Sequence, residues 1–79
     1  MVISMDYLQI LGANIRAHRQ RIGMTQEQLA ESADLHRTYV GAIERGDRNV
    51  SLNNIVAIAK ALNIEPYKLL IYKDLSKED

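Results

Sequence analysis

The sequence predicts an all-α fold, a compact five-helix bundle in which two short helices close on a tight turn near the middle. Three observations predict it. Apolar residues recur at three- and four-residue intervals along most of the chain, and no stretch alternates over the length of a strand. Capping residues stand just ahead of those periodic runs, at Thr25 and Ser51. Gly23 and Gly46 follow the ends of two runs, and Pro66 sits where a first helical turn accepts it.

The first helix is expected from about Asp6 to Ile22, with Leu8, Leu11, Ile15 and Ile22 on one stripe. Gly23 closes it in a left-handed conformation, and Arg19 and Arg21 in its last turn complement the negative end of the dipole. The second runs near Gln26–Ser32. Thr25 and Gln28 form a T-x-x-Q capping box, and Met24 and Leu29 are spaced as a hydrophobic staple. The third runs near His36–Arg45, with His36 in the cap position. The break between them is too short for an ordinary loop.

Within this pair, spanning 25–46, Leu29, Ala30, Ala33, Leu35, Val40 and Ile43 are placed inward. Ala30 is small enough to let the two helix backbones approach. Gln26, Arg37, Thr38, Gly41 and Ala42 are placed outward. Ser51 caps a fourth helix with Val50 and Ile55 as its staple and Leu52, Ile55, Val56, Ile58, Ala59 and Leu62 inward. Pro66 opens a fifth, to about Tyr72, and Ser76–Asp79 forms a polar, frayed end.

Composition removes several classes of function. At 79 residues the chain makes one domain, 1–79, with little length for a catalytic cleft. Cysteine is absent, which excludes disulfides and thiolate metal sites. No apolar run approaches the roughly 20 residues of a membrane span, and the N-terminal stretch has no basic region ahead of an apolar one, so the chain reads as cytoplasmic. His18 and His36 fall on different helices with no third ligand near, so no metal is expected. Neither a nucleophile in a strained turn nor a glycine-rich phosphate loop is present, so the chain reads as no enzyme, with no cofactor and no small-molecule effector.

Net charge is zero, which argues against strong non-specific affinity for a polyanion. The basic residues are nonetheless segregated: all six arginines lie between Arg16 and Arg48, and all four lysines from Lys60 onward. Arginine is the side chain suited to forked recognition of phosphate or guanine. Two short helices on a tight turn are also the geometry that lets a second helix enter a DNA major groove.

The pattern LG-x-NIR-x-x-R-x-x-x-GMTQEQLA…IERG…SL-x-x-I-x-x-IAKAL-x-I resembles the helix-turn-helix domains of lambdoid phage repressors and their bacterial relatives, over about Leu11 to Leu70. Within that group LHRTYVGAIERGDRN is similar to the controller proteins of restriction–modification systems. The resemblance implies a homodimeric, sequence-specific transcription regulator on near-palindromic double-stranded DNA that times endonuclease expression and regulates its own gene. A stand-alone phage-like repressor or an antitoxin is the alternative within DNA binding. A protein-interaction module that never touches DNA is the alternative outside it.

Carried onto this chain, the resemblance puts Gln26 on a phosphate, Arg37 bidentate on guanine, Thr38 on a base edge, and Tyr39 and Arg48 on the backbone. The plain reading of Arg37 is a solvated arginine. Gly41 and Ala42 offer no hydrogen-bonding side chain, so DNA shape must carry part of the readout. Arg19 and Glu44 are implied to form a buried ion pair between the first and third helices. Glu27 and Glu31 form an acidic ridge, a solvated face or, by the resemblance, an RNA polymerase contact. Ile64, Tyr67, Leu70 and Ile71, in the region 62–72, exceed what one small core can cover; they pack on the first helix or form a two-fold dimer surface.

Overall fold

A computed structural model describes residues 6–72. The N-terminal residues 1–5, part of the stretch read for a leader, and the polar end Ser76–Asp79 lie outside the described residues. In chain order the structure holds α1 (Tyr7–Arg21), α2 (Gln26–Ala33), α3 (Arg37–Glu44), α4 (Leu52–Leu62) and a 3-10 helix, Pro66–Leu70, with no strand among the described residues.

Each α-helix begins on a side chain that accepts one of its free N–H groups. Asp6 accepts from Leu8 at 2.9 Å and Ser51 from Asn54 at 3.1 Å. The capping box of α2 is reciprocal: Thr25 Oγ1 accepts from the Gln28 N–H at 3.0 Å, and Gln28 Oε1 from the Thr25 N–H at 2.9 Å. His36 caps α3 through Nδ1, which accepts from the Thr38 N–H at 3.2 Å. The C-terminal ends share one device. A left-handed residue (Gly23, Asp34, Gly46 or Asn63) follows the helix, and the next N–H folds back on a carbonyl five residues earlier. Asp34 at φ 59° and ψ 47° fills this role in the turn between α2 and α3. Asn63 fills it after α4 at φ 60°.

Ile15, Leu29, Val40, Ile43, Ile58 and Leu69 are fully buried, one or more from every element. Met24, Leu35, Val50, Ile55 and Ile64 pack partly buried against that core. α2 lies against α3 and α4, α1 against α3, and the 3-10 helix is wedged between α1 and α4.

Four features differ from the sequence reading. The fifth helix is not α: it is a 3-10 helix that ends at Leu70, with Ile71 extended at ψ 126°. Its cause is Asn14 on α1, whose amide donates to the Leu69 and Ile71 carbonyls, both at 2.9 Å. Those bonds satisfy carbonyls at the end of the turn and draw the chain straight. Leu52, placed inward, is 72% exposed, because as the first residue of α4 it stands clear of the packed turns. Ile22, at the C-cap of α1, is exposed as well. Gly41 and Ala42, placed outward, are both buried.

Candidate nucleic-acid interface

The turn that joins α2 to α3 is closed tightly, with the Leu35 N–H donating to the Ala30 carbonyl at 2.8 Å. Ala30 and Ala33 are buried at this junction, and their small side chains let α3 lie close. Val40 and Ile43 then carry α3 into the core.

Behind α3 is a charged seam. Glu44 is buried, and Arg19 of α1 grips it as a fork, Nε to Oε2 at 2.6 Å and Nη2 to Oε1 at 3.0 Å. The third guanidinium nitrogen donates to the Met24 carbonyl at 2.8 Å. Oε1 also accepts from the Gln26 amide at 2.9 Å, and Arg16 stands 3.8 Å away on the solvent side. Hydrogen bonding to Glu44 raises the Arg19 pKa above the ordinary guanidinium value, with burial opposing it. No buried side-chain polar atom among the described residues lacks a partner, so the seam is a fully satisfied network.

Gly12 makes the seam possible, and sequence reasoning missed it. A Cβ at this position would run into the Ile43 carbonyl oxygen and stand 2.6 Å from that of Glu44. α1 therefore passes over the C-terminal turn of α3 at a distance only glycine allows, which brings Arg19 within reach of Glu44.

On the outer side the exposed surface is narrower than the sequence suggested. Gly41 lies under its neighbours: an added Cβ would be 3.5 Å from both the Gln26 and Arg45 side chains. What remains exposed at the start of α3 is Arg37 and Thr38. Arg45, exposed at the C-cap, was also missed, and Arg37, Gly41 and Arg45 at i, i+4 and i+8 were the legible signal. Its Nε lies 3.0 Å from Asp47 Oδ2. Arg37, Thr38, Arg45, Gln26 and Glu27 border one open depression of about 540 Å³.

Tyr39 is partly buried and faces the segment after α3. Its hydroxyl donates to the Asn49 carbonyl at 3.5 Å and accepts from the Asn54 amide at 3.3 Å. Arg48 is exposed on that segment. Glu27 and Glu31 are exposed on α2. His18 and His36 remain on separate elements, and no group of metal-ligating side chains forms among the described residues. No helix is long and apolar enough to cross a membrane, among the residues described.

At the far end Tyr67, Leu70, Ile71 and Tyr72 are exposed, while Leu62 and Leu69 are buried. Ile64 is only partly exposed and packs against its own core.

A short helix braced from behind, with arginines exposed at its two ends, on a tight turn from its predecessor defines a helix-turn-helix DNA-binding protein. The chain belongs to the helix-turn-helix family, which it matches over residues 15–69. It is 47% identical over 74 residues to control protein C.SmaI of Serratia marcescens, covering 94% of this chain and 88% of that protein. It is 52% identical over 62 residues to control protein C.BamHI of Bacillus amyloliquefaciens, covering 77% and 76%. The crystal structure of the restriction–modification controller protein C.AhdI from Aeromonas hydrophila superposes with a TM-score of 0.77 at 50% identity, covering 78% of this chain and 94% of that one. The protein is thus a DNA-binding transcription regulator and not an enzyme, similar to restriction–modification controllers.

Proposed function

We propose that the protein is itself a restriction–modification controller: a cytoplasmic homodimer that binds near-palindromic operators, regulates its own gene and times endonuclease expression. The observation that carries the DNA-reading part is the distribution of exposure along α3. Val40 to Glu44 are buried, and Arg37 and Thr38 are exposed at its N-terminal end. In a groove-bound α3 those two side chains meet the base edges, Arg37 forking onto guanine O6 and N7. Gln26, Tyr39 and Arg48 meet the sugar–phosphate backbone and fix the register. For Gln26 the first-turn N–H groups of α2 add donors, since its amide is partly engaged by Glu44.

Dimerisation through Tyr67, Leu70 and Ile71, with partly exposed Ile64 beside the core, covers apolar surface that the single chain leaves open. Two recognition helices related by a two-fold axis address half-sites about 34 Å apart, one turn of DNA.

Selection of duplexes from a random pool, followed by footprinting upstream of the protein's own gene, tests this reading. The expected result is a near-palindrome with half-sites one turn apart, and protection of such a site beside an endonuclease gene. A site with no endonuclease gene near it makes the protein a phage-like repressor or antitoxin. Failure to enrich any sequence, with no salt-dependent shift of DNA, turns the reading to a protein-interaction module.

A further inference from the structure

The depression beside α3 contains an anomaly for a surface that faces a polyanion. Arg19, Arg37 and Arg45 line it, and Glu27 is the one carboxylate among its lining residues. Two further acidic groups lie near the arginines of this lining: Glu44 is buried and satisfied by Arg19 and Gln26, and Asp47 is bonded to Arg45 at 3.0 Å. The Glu27 side chain is 74% exposed, with Oε1 3.8 Å from Nη1 of Arg37, itself 68% exposed.

A carboxylate at this place repels every phosphate that approaches. The helix dipole rewards an acidic residue anywhere in the first turn of α2, so it does not explain why this one adjoins the base-reading arginine.

We infer that Glu27 is a specificity-determining residue, which holds Arg37 in the orientation that reads a base and opposes its use as a phosphate contact. The inference rests on the reading of Arg37 as the guanine contact. A guanidinium has five N–H donors on three nitrogens. A partner on Nη1 leaves Nε and Nη2 free, and together these form an edge suited to O6 and N7 of guanine. Base reading therefore keeps the Glu27 pair, and Glu27 restricts the swing of a long, flexible side chain. A phosphate contact is different. To follow the backbone, Arg37 must leave Glu27, and the carboxylate is stranded beside the DNA's negative charge. The pair is neutral or favourable in the specific complex and unfavourable in the non-specific one. Its effect falls on the ratio of the two affinities.

Fluorescence-anisotropy titrations test this with the full chain and two labelled duplexes: one selected by the protein from a random pool, and one of the same composition with permuted sequence. The proteins are wild type, Glu27→Gln, Arg37→Ala and the double variant, each checked for its helical spectrum and melting. Glu27→Gln should raise affinity for the permuted duplex about two- to fivefold, the range of an exposed ion pair, with no gain on the selected duplex. In the Arg37→Ala background the same change should leave the ratio of affinities where it was. An unchanged ratio for Glu27→Gln in the wild-type background overturns the inference. So does an equal gain with and without Arg37, which would mark plain charge removal. Either result leaves Arg37 as base reader if Arg37→Ala still relaxes discrimination at one base pair. Equal weakening of both duplexes by Arg37→Ala would instead reject that reading, and the role of Glu27 with it.

Discussion

The two sides of α3 contrast in how their charges are held. On the inner side Glu44 is buried and bonded by Arg19 and Gln26, over a contact with α1 that leaves no room for a methyl group at Gly12. On the outer side Arg37 and Arg45 are exposed, and their carboxylate neighbours Glu27 and Asp47 are exposed with them. The same kinds of side chain therefore have opposite weights. Inside, the low dielectric makes loss of one partner costly; outside, water screens the pairs and leaves them exchangeable. A reader of DNA needs both, a helix that does not shift and side chains that stay accessible.

The contrast is broken most severely from the inner side. Glu44→Ala leaves Arg19 buried without its carboxylate, and should cost about 3–5 kcal/mol of stability in thermal or denaturant melting. A melting curve that matches wild type would show that the seam is not a brace. Gly12→Ala attacks the same seam without touching a charge. It must push α1 away from the Ile43 and Glu44 carbonyls, and a loss of about 1–3 kcal/mol, the range for overpacking, is expected in the same measurement.

The outer side should respond in binding and not in melting. Arg37→Ala should weaken binding to the selected operator by about 1–3 kcal/mol and relax preference at one base pair, read by repeating the site selection. Uniform weakening across sequences would make Arg37 a phosphate contact. Arg48→Ala has the smallest expected effect. Binding should weaken evenly across sequences, and the slope of log affinity against log salt should fall by about one.

Much of the fold was legible because its signals are local. The capping box at Thr25 and Gln28 and the cap at Ser51 each depend on residues within one turn, and each stands in the structure as its neighbours dictate. The failures share a cause in contacts made from far along the chain. Asn14 meets carbonyls 55 and 57 residues away, and no periodicity in 66–72 announces that the segment will be 3-10 and stop. Gly12 looks like an ordinary helix residue until α3 lies across it. Gly41 and Ala42 were placed outward from the helical wheel of α3 alone, but Gln26 and Arg45 lie over Gly41. In the candidate site, the exposure of Arg37 and Thr38 was readable because the start of a helix after a tight turn is a fixed place. Arg45 was passed over as a mere terminus.

Asn14 has one more consequence. Its two bonds tie the exposed apolar end of the molecule to α1, and the fork from Arg19 ties α1 to α3. In the proposed dimer these links run in series from one reading helix to the two-fold axis and out again. They make the pair of subunits a caliper. In such a dimer the Asn14 bonds, together with buried Leu69, would help to hold the spacing of the two reading helices. An operator with one base pair inserted between its half-sites should therefore bind such a dimer more weakly, because the insertion both displaces and rotates one half-site relative to the other.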